Sequence, residues 1–134
     1  MIDCESEIYS PIAKALRQQF PGIHVVSTRL SSEPSDFPCV ALYEMDNYSP
    51  RDMIDSSGEE KFSDIAWQLQ IYSNKLSVKK SECREIFRFV DSLMFAQGFT
   101  RESNTPEIPI NNNSIYWLSA RYTARTDGTY IYRN

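Results

Sequence analysis

The alternating residues 65–72 limit most strongly what this chain can fold into. Apolar side chains fall at every second position on one side of an extended backbone, at Ile65, Trp67, Leu69 and Ile71. Ala66, Gln68, Gln70 and Tyr72 fall on the other side. Successive side chains of a strand point to opposite faces, so this pattern predicts a strand.

Two further strands are predicted upstream. Residues 24–30 form a short run rich in β-branched side chains, and residues 39–45 alternate in the same way as residues 65–72. The three strands follow one another without an intervening helix. This succession favours an antiparallel meander over a parallel α/β sheet.

A first helix precedes these strands. Ile8, Ile12, Leu16 and Phe20 recur every four residues, and Pro21 with Gly22 ends the periodic stretch. Its start has two interpretations. Either Ser10 caps a helix that begins at Pro11, or Asp3 caps a longer helix that bends at Pro11.

A second helix is predicted over residues 77–97. Its apolar stripe at helical spacing consists of Cys83, Ile86, Phe87, Val90, Leu93 and Met94. Gly98 is the expected left-handed terminator, and Phe99 is expected to pack back on the helix. Phe89 and Phe95 lie off the stripe, which indicates a second covering surface from the first helix or from a partner subunit.

The last predicted elements are a long strand over residues 115–126 and a returning strand over residues 129–132. Asp127 and Gly128 between them are typical of a two-residue hairpin. In the long strand the face with Tyr116, Leu118, Ala120, Tyr122 and Ala124 suits the core. The order is therefore α-β-β-β-α-β-β, with a short extra strand near residues 99–102 as an option. We expect one α+β domain over residues 1–134, with two helices on one face of an antiparallel or mixed sheet of about five strands.

A long acidic loop is predicted over residues 46–64. Six acidic and two basic residues give it a net charge of −4, which equals that of the whole chain. It is interpreted either as a flexible hairpin tip or as an assembly or binding loop, and its length favours the second interpretation. Asp52, Asp55, Glu59 and Glu60 are therefore candidate subunit-interface residues.

Arg121 and Arg125 are the remaining candidate interface residues. They share the face of the long strand that also carries Ser119 and Thr123. This face is either solvated or forms an intersubunit contact. In the second case, the acidic loop of a neighbouring subunit is the expected complement of the two arginines.

No residue pattern predicts catalysis, and we expect no enzymatic activity, cofactor or metal. His24 is the single histidine, the three cysteines are far apart, and the four glycines form no phosphate-binding loop. A pI near 5.0 argues against dedicated nucleic-acid binding. The acidic N-terminus and the lack of a long apolar run predict neither a signal peptide nor a membrane span, and the thiols are expected to be reduced in the cytosol.

Several segments together resemble one protein family. They are a helix ending in Phe20-Pro21-Gly22, the strand after Pro38, the acidic loop, the strand from Asp64 to Tyr72, the helix end before Gly98, and the closing strand from Ile115. This order resembles the tail-terminator, or tail-completion, and neck proteins of long-tailed bacteriophages and prophages. The similarity covers nearly the whole chain, although no single motif is diagnostic.

The resemblance implies a structural protein with no catalytic residues. Such proteins form a ring, here expected to be a hexamer, at the head-proximal end of the tail tube. The implied partners are copies of the chain itself, the tail tube protein and a head-completion or stopper protein, while DNA only passes through the lumen. The expected location is the virion neck, after synthesis in the host cytoplasm. Two alternatives are another neck ring and a non-phage α+β ligand-binding module.

Overall fold

The protein folds into two helices and a six-stranded sheet. The computed structural model describes residues 4–30, 34, 36–48, 63–107, 115–127 and 131–132. The elements in chain order are α1 (Glu5–Gln19), β1 (His24–Val26), β2 (Cys39–Tyr48), β3 (Ser63–Ser73), α2 (Lys79–Gln97), β4 (Thr100–Glu107), β5 (Tyr116–Thr126) and β6 (Ile131–Tyr132). The α+β class and the predicted element order are confirmed. The optional extra strand is real, and as β4 it reaches eight residues.

The sheet is mixed. Its strand order is β1-β2-β3-β5-β4, and β6 pairs with β5. Four of the pairings are antiparallel, but β1 runs parallel to β2. The predicted meander is therefore wrong for this first pair. Parallel neighbours need a connection of about a dozen residues, and residues 27–38 provide one. Within it Leu30 and Phe37 pack against Cys39, Tyr72 and Ile115 of the sheet region.

The core is built by alternate residues of the strands. In β5 every second residue is buried, beginning at Tyr116 and continuing to Thr126, as the alternation predicts. The core face is the side of the sheet whose residues join the main hydrophobic cluster. It includes Val40, Leu42, Ile65, Trp67, Leu69, Ile71, Leu118, Ala120, Tyr122 and Ala124. The buried residues of both helices, such as Leu16 and Ile86, belong to the same cluster.

Helix α1 continues through its proline. It begins at Glu5 after Cys4 and contains Pro11. A start at Pro11 is therefore wrong, because the chain is already helical for six residues before it. The longer-helix interpretation has the correct extent, but its cap is Cys4 rather than Asp3. Ile8 and Ile12, on either side of Pro11, are both buried, and this packing offsets the hydrogen bond that proline cannot make.

Helix α2 ends as the sequence predicts. Gly98 is left-handed, with φ of 105°. The amide of Gly98 donates to the carbonyl of Phe95, and the amide of Phe99 donates to the carbonyl of Met94, both at 3.0 Å. These two bonds are the Schellman motif. They turn Phe99 into the core, where its ring meets that of Trp67 edge-on at 6.4 Å.

Candidate functional site

Arg125 lies in a partly buried ion pair within its own chain. The register places it directly opposite Asp64 of β3. Its Nε and Nη2 donate to the two carboxylate oxygens of Asp64 at 2.7 Å and 3.1 Å, a bidentate contact. The side chains are 26% and 14% exposed respectively, so water screens the pair only partly. This arginine therefore has a structural role in joining β5 to β3.

Arg121 has a more exposed environment on the same face. Its Nε donates to Oε2 of Glu102 at 2.9 Å, and the two side chains are 38% and 48% exposed. Its Nη1 also lies 3.6 Å from the sulfur of Met45. Met45 and Glu102 are the residues at which the registers of β2 and β4 shift. The irregularities in two strands therefore bring both of these side chains to Arg121.

The two arginines do not form an unpaired positive stripe. The structure places them on one face, as the alternation predicts, but each has an acidic partner in its own chain. The register that selects these partners cannot be read from either strand alone, which is why the sequence pattern suggested a neighbouring subunit. Their role at a subunit interface stays a prediction.

The acidic loop is shorter than its charge pattern indicates. Strand β2 extends to Tyr48 and β3 begins at Ser63, so residues 46–48 and 63–64 lie in strands. Asp52, Asp55, Glu59 and Glu60 lie outside the described residues. Both anchors of residues 49–62 are at the same end of the sheet, because Tyr48 pairs with Asp64.

A polar cluster lies beside the C-terminal half of α2. The hydroxyl of Tyr122 donates to Asp91 at 2.8 Å, and Nη1 of Arg101 contacts the other oxygen of Asp91 at 3.1 Å. The Arg101 guanidinium also lies 5.4 Å from the centroid of the Phe87 ring. Burial, and next the bond to Asp91, raise the pKa of Tyr122, so its phenol is protonated at neutral pH. The cluster therefore holds α2 against β4 and β5.

A cavity of about 260 Å³ adjoins this cluster. Phe99 and Thr100 contribute to its wall, and Phe95 stands at its side with 61% of the residue exposed. This exposure agrees with the prediction that Phe95 lies off the core-facing stripe. A large apolar side chain is therefore presented at the C-terminal end of α2.

The turn before α2 presents a second apolar surface. Leu76 is 86% exposed and Val78 is 40% exposed. Ser77 between them has a φ of 69°, a left-handed conformation that is uncommon outside glycine. The amide of Val78 donates to the carbonyl of Lys75 at 3.3 Å, which closes the turn. The chain thus exposes two apolar side chains on a defined backbone.

This turn also carries positive charge and borders a cavity. Lys75, Lys79 and Lys80 surround Leu76 and Val78 in the sequence. The adjacent cavity, of about 520 Å³, is lined by Lys75 and Glu82 and by apolar residues that include Phe20, Pro21, Phe37, Pro38 and Ile86. The sequence pattern did not predict this exposed turn. The sequence feature that could have indicated it is the presence of Leu76 and Val78 among three lysines, in a connection where polar residues are expected.

His24 and the three cysteines, all within the described part of the chain, show no activated arrangement. The register of β1 and β2 places His24 beside Cys39, but no hydrogen bond joins the two side chains. Burial, and then the Asp36 charge, raise the pKa of Cys39, whereas a nucleophilic thiol needs a lowered pKa. Burial also raises the pKa of Cys83 to about 12. Among the residues that the structure describes, no group of three histidine, cysteine or acidic side chains could hold a metal ion.

Comparisons with known proteins add no family assignment. A scan against protein-family models found no match, and a search of curated proteins found none either. Neither helix in the described part of the chain has both the length and the hydropathy that crossing a membrane requires.

Proposed function

We propose that this protein is a structural subunit of the neck of a long-tailed bacteriophage. Copies of the chain form a ring at the head-proximal end of the tail tube, end the polymerisation of the tube and join the tail to the head. The resemblance described above supports this proposal, because it extends over nearly the whole chain. The order of helices and strands agrees with that resemblance.

The observation that carries the proposal is the exposure of large apolar side chains at both ends of α2. Leu76 and Val78 precede the helix, and Phe95 lies in its last turn. A helix of 19 residues is about 28 Å long, so these are two separate surfaces. Different surfaces at opposite ends of one subunit favour head-to-tail contacts, and such contacts close into rings when the rotation between subunits permits it.

The charge of the chain agrees with a ring around DNA. The net charge of the chain is −4, from 18 acidic and 14 basic residues. A negative lumen repels the phosphate backbone, which lets DNA pass without binding. No sequence-specific contact with DNA is needed for this function.

Tail tube assembly in vitro tests the proposal. Purified tube protein is allowed to polymerise with and without this protein, and tube lengths and ends are recorded by electron microscopy. We expect shorter tubes with a ring at one end only. The variant Lys14→Gln, at an exposed position of α1, serves as the matched control and should act like wild type.

Two outcomes would count against this function. Tubes of unchanged length without terminal rings would exclude a tail terminator. Binding to the head connector but not to the tube would instead identify the alternative neck ring, the head-completion or stopper component.

A further inference from the structure

We propose that the basic turn, residues 74–80, is the docking site for the acidic segment, residues 52–60, of a second copy of this chain. This inference deepens the proposed function and depends on it, because it names the surfaces that join neighbouring subunits. In this proposal the complement of the acidic residues is formed by Lys75, Lys79 and Lys80. The sequence pattern had suggested Arg121 and Arg125 for that role.

The basic turn offers both apolar surface and available charge. Leu76 is 86% exposed, and Lys75 and Lys80 are exposed beside it. Lys75, Lys79 and Lys80 form no ion pair with another described residue, in contrast to Arg121 and Arg125. A partner with acidic and apolar side chains would therefore satisfy charges that the described part of the chain leaves available.

The lysines are also placed where they do not help the helix. Lys79 and Lys80 are the first two residues of α2, and Glu82 is the one acidic residue of its first turn. The N-terminus of a helix favours negative side chains, because the peptide dipoles place a partial positive charge there. Two lysines at this position reduce helix stability slightly. A contact outside the described fold explains their presence better than helix formation does.

The acidic segment has the complementary composition. Met53 and Ile54 lie between Asp52 and Asp55, and Glu59 and Glu60 follow. The basic turn has the same arrangement with opposite charge, since Leu76 and Val78 lie among three lysines. The adjacent cavity, lined by Phe20 and Phe37 among others, could receive an apolar side chain of the segment. Apolar contact would then supply affinity, and the charges would supply orientation.

The covalent reach of the segment excludes the turn of its own chain. The segment is anchored at Tyr48 and Ser63, while the turn begins after Ser73, at the other end of β3. Ten residue steps along this strand correspond to about 33 Å. No residue of the segment is more than seven residues from the nearer anchor, which limits its reach to about 25 Å. The segment must therefore dock on another molecule.

The resulting contact is head-to-tail. The turn and the base of the acidic segment lie at opposite ends of β3, so each subunit uses a different end towards each of its two neighbours. Such a contact extends into a ring or an open filament when each subunit docks on a different neighbour, whereas reciprocal docking of two antiparallel copies would close a two-fold dimer. The mass of the wild-type assembly distinguishes the two arrangements. The geometry of docking thus agrees with the ring proposed above.

Two variants, each defective at one end, test the docking. The turn variant combines Leu76→Ser, Lys79→Gln and Lys80→Gln. The segment variant combines Asp52→Asn, Asp55→Asn, Glu59→Gln and Glu60→Gln. All changed residues are exposed or half-buried, or lie outside the described fold, and circular dichroism and thermal melting will verify folding. Each protein, each variant and an equimolar mixture of the two variants are measured by multi-angle light scattering over a concentration series, with Lys14→Gln as the control.

We expect wild type and the control to assemble, and each variant alone to associate at least ~10-fold more weakly. The mixture should form a 1:1 dimer and nothing larger, because it contains one intact turn and one intact segment per pair. Higher salt should weaken wild-type assembly, since screening reduces the charge contacts.

Three results would overturn the docking. They are normal assembly of either variant, a mixture that stays monomeric, and a wild-type chain that remains monomeric throughout the series. Normal assembly of a variant leaves the ring proposal intact and rejects only these surfaces. The tube-length assay decides the tail-terminator function separately.

Discussion

Arg121 and Arg125 lie four residues apart on one strand and face, yet their surroundings differ. Arg125 makes a bidentate pair with a carboxylate that is 14% exposed, whereas Arg121 pairs with one that is 48% exposed. The value of an ion pair depends on how far water and salt screen it and on how well its geometry is fixed. Substitutions of the two arginines can therefore be compared directly, one in a partly buried ion pair and one in an exposed ion pair.

Substitution of these arginines should have unequal effects. We expect Arg125→Ala to lower the free energy of unfolding by about 1–3 kcal/mol, because it leaves a partly buried carboxylate without its partner. Arg121→Ala should cost about 0–1 kcal/mol, as exposed pairs do. Urea denaturation measures both values. A double-mutant cycle with Asp64→Ala should show coupling to Arg125→Ala, but not to Arg121→Ala, in the free energy of unfolding. Equal losses of stability for the two arginine variants would contradict this assignment.

Gly98 and Gly22 allow a second comparison of substitutions. Both have positive φ, at 105° and 87°. A Cβ at Gly98 would lie 2.8 Å from the carbonyl oxygen of Ile131, while a Cβ at Gly22 would meet nothing within 4 Å. Gly22→Ala should therefore cost only the left-handed strain of about 1–2 kcal/mol. Gly98→Ala should cost more, because Ile131 must also move. Thermal denaturation compares the two, and a smaller loss for Gly98→Ala would be inconsistent with the close approach.

At the scale of the elements, Cys83 joins α2 to two strands. Its thiol lies 3.8 Å from the carbonyl oxygen of Ile71 in β3 and 3.5 Å from that of Tyr116 in β5. The side chain is fully buried. Burial, and next the nearby Glu82 charge, raise its pKa from the ordinary value of 9.0 to about 12. Packing of α2 on the sheet therefore requires the protonated thiol.

This thiol should make stability fall at alkaline pH. Below pH 9 it is protonated in both states and contributes no pH dependence. Above pH 9 the unfolded chain loses the proton first, so the free energy of unfolding should decrease from pH 9 to about pH 12, by up to ~1.4 kcal/mol per pH unit. Cys83→Ser keeps the size of the group without titrating in this range. Urea denaturation between pH 7 and pH 11 should give a flatter profile for this variant, and an unchanged profile would disprove the assignment.

Local periodicity predicted the elements that depend on local signals. The stripe of α2, its end at Gly98, the apolar face of β3 and the alternation of β5 follow from the spacing of apolar residues. The burial of Ala66, Gln70 and Tyr72 on the other face of β3 does not follow from it. The parallel direction of β1 does not follow from it either, since nothing in residues 24–30 specifies the direction of the partner strand. The length of β4 was also underestimated. Its residues have poor strand propensity and include Pro106, and pairing with β5 holds them extended.

At the scale of the whole molecule, the two ends of the sheet differ in chemistry. One end anchors the acidic segment, and the other carries Leu76, Val78 and their lysines. Strand register places Arg125 opposite Asp64 of its own chain, which the sequence pattern did not predict. The exposure of Leu76 and Val78 in the turn before α2 is likewise visible only in the fold. We therefore expect a subunit with two chemically different ends that assembles head-to-tail.

Native mass spectrometry of the purified full chain tests this central claim most directly. A ring gives one closed assembly with no intermediate ladder, and the family resemblance predicts six chains of 15.5 kDa, or about 93 kDa. The assembly should dissociate more readily at high salt, because screening weakens the contacts between acidic and basic ends. A monomer at every concentration, or an isolated dimer that persists in high salt, would contradict the account.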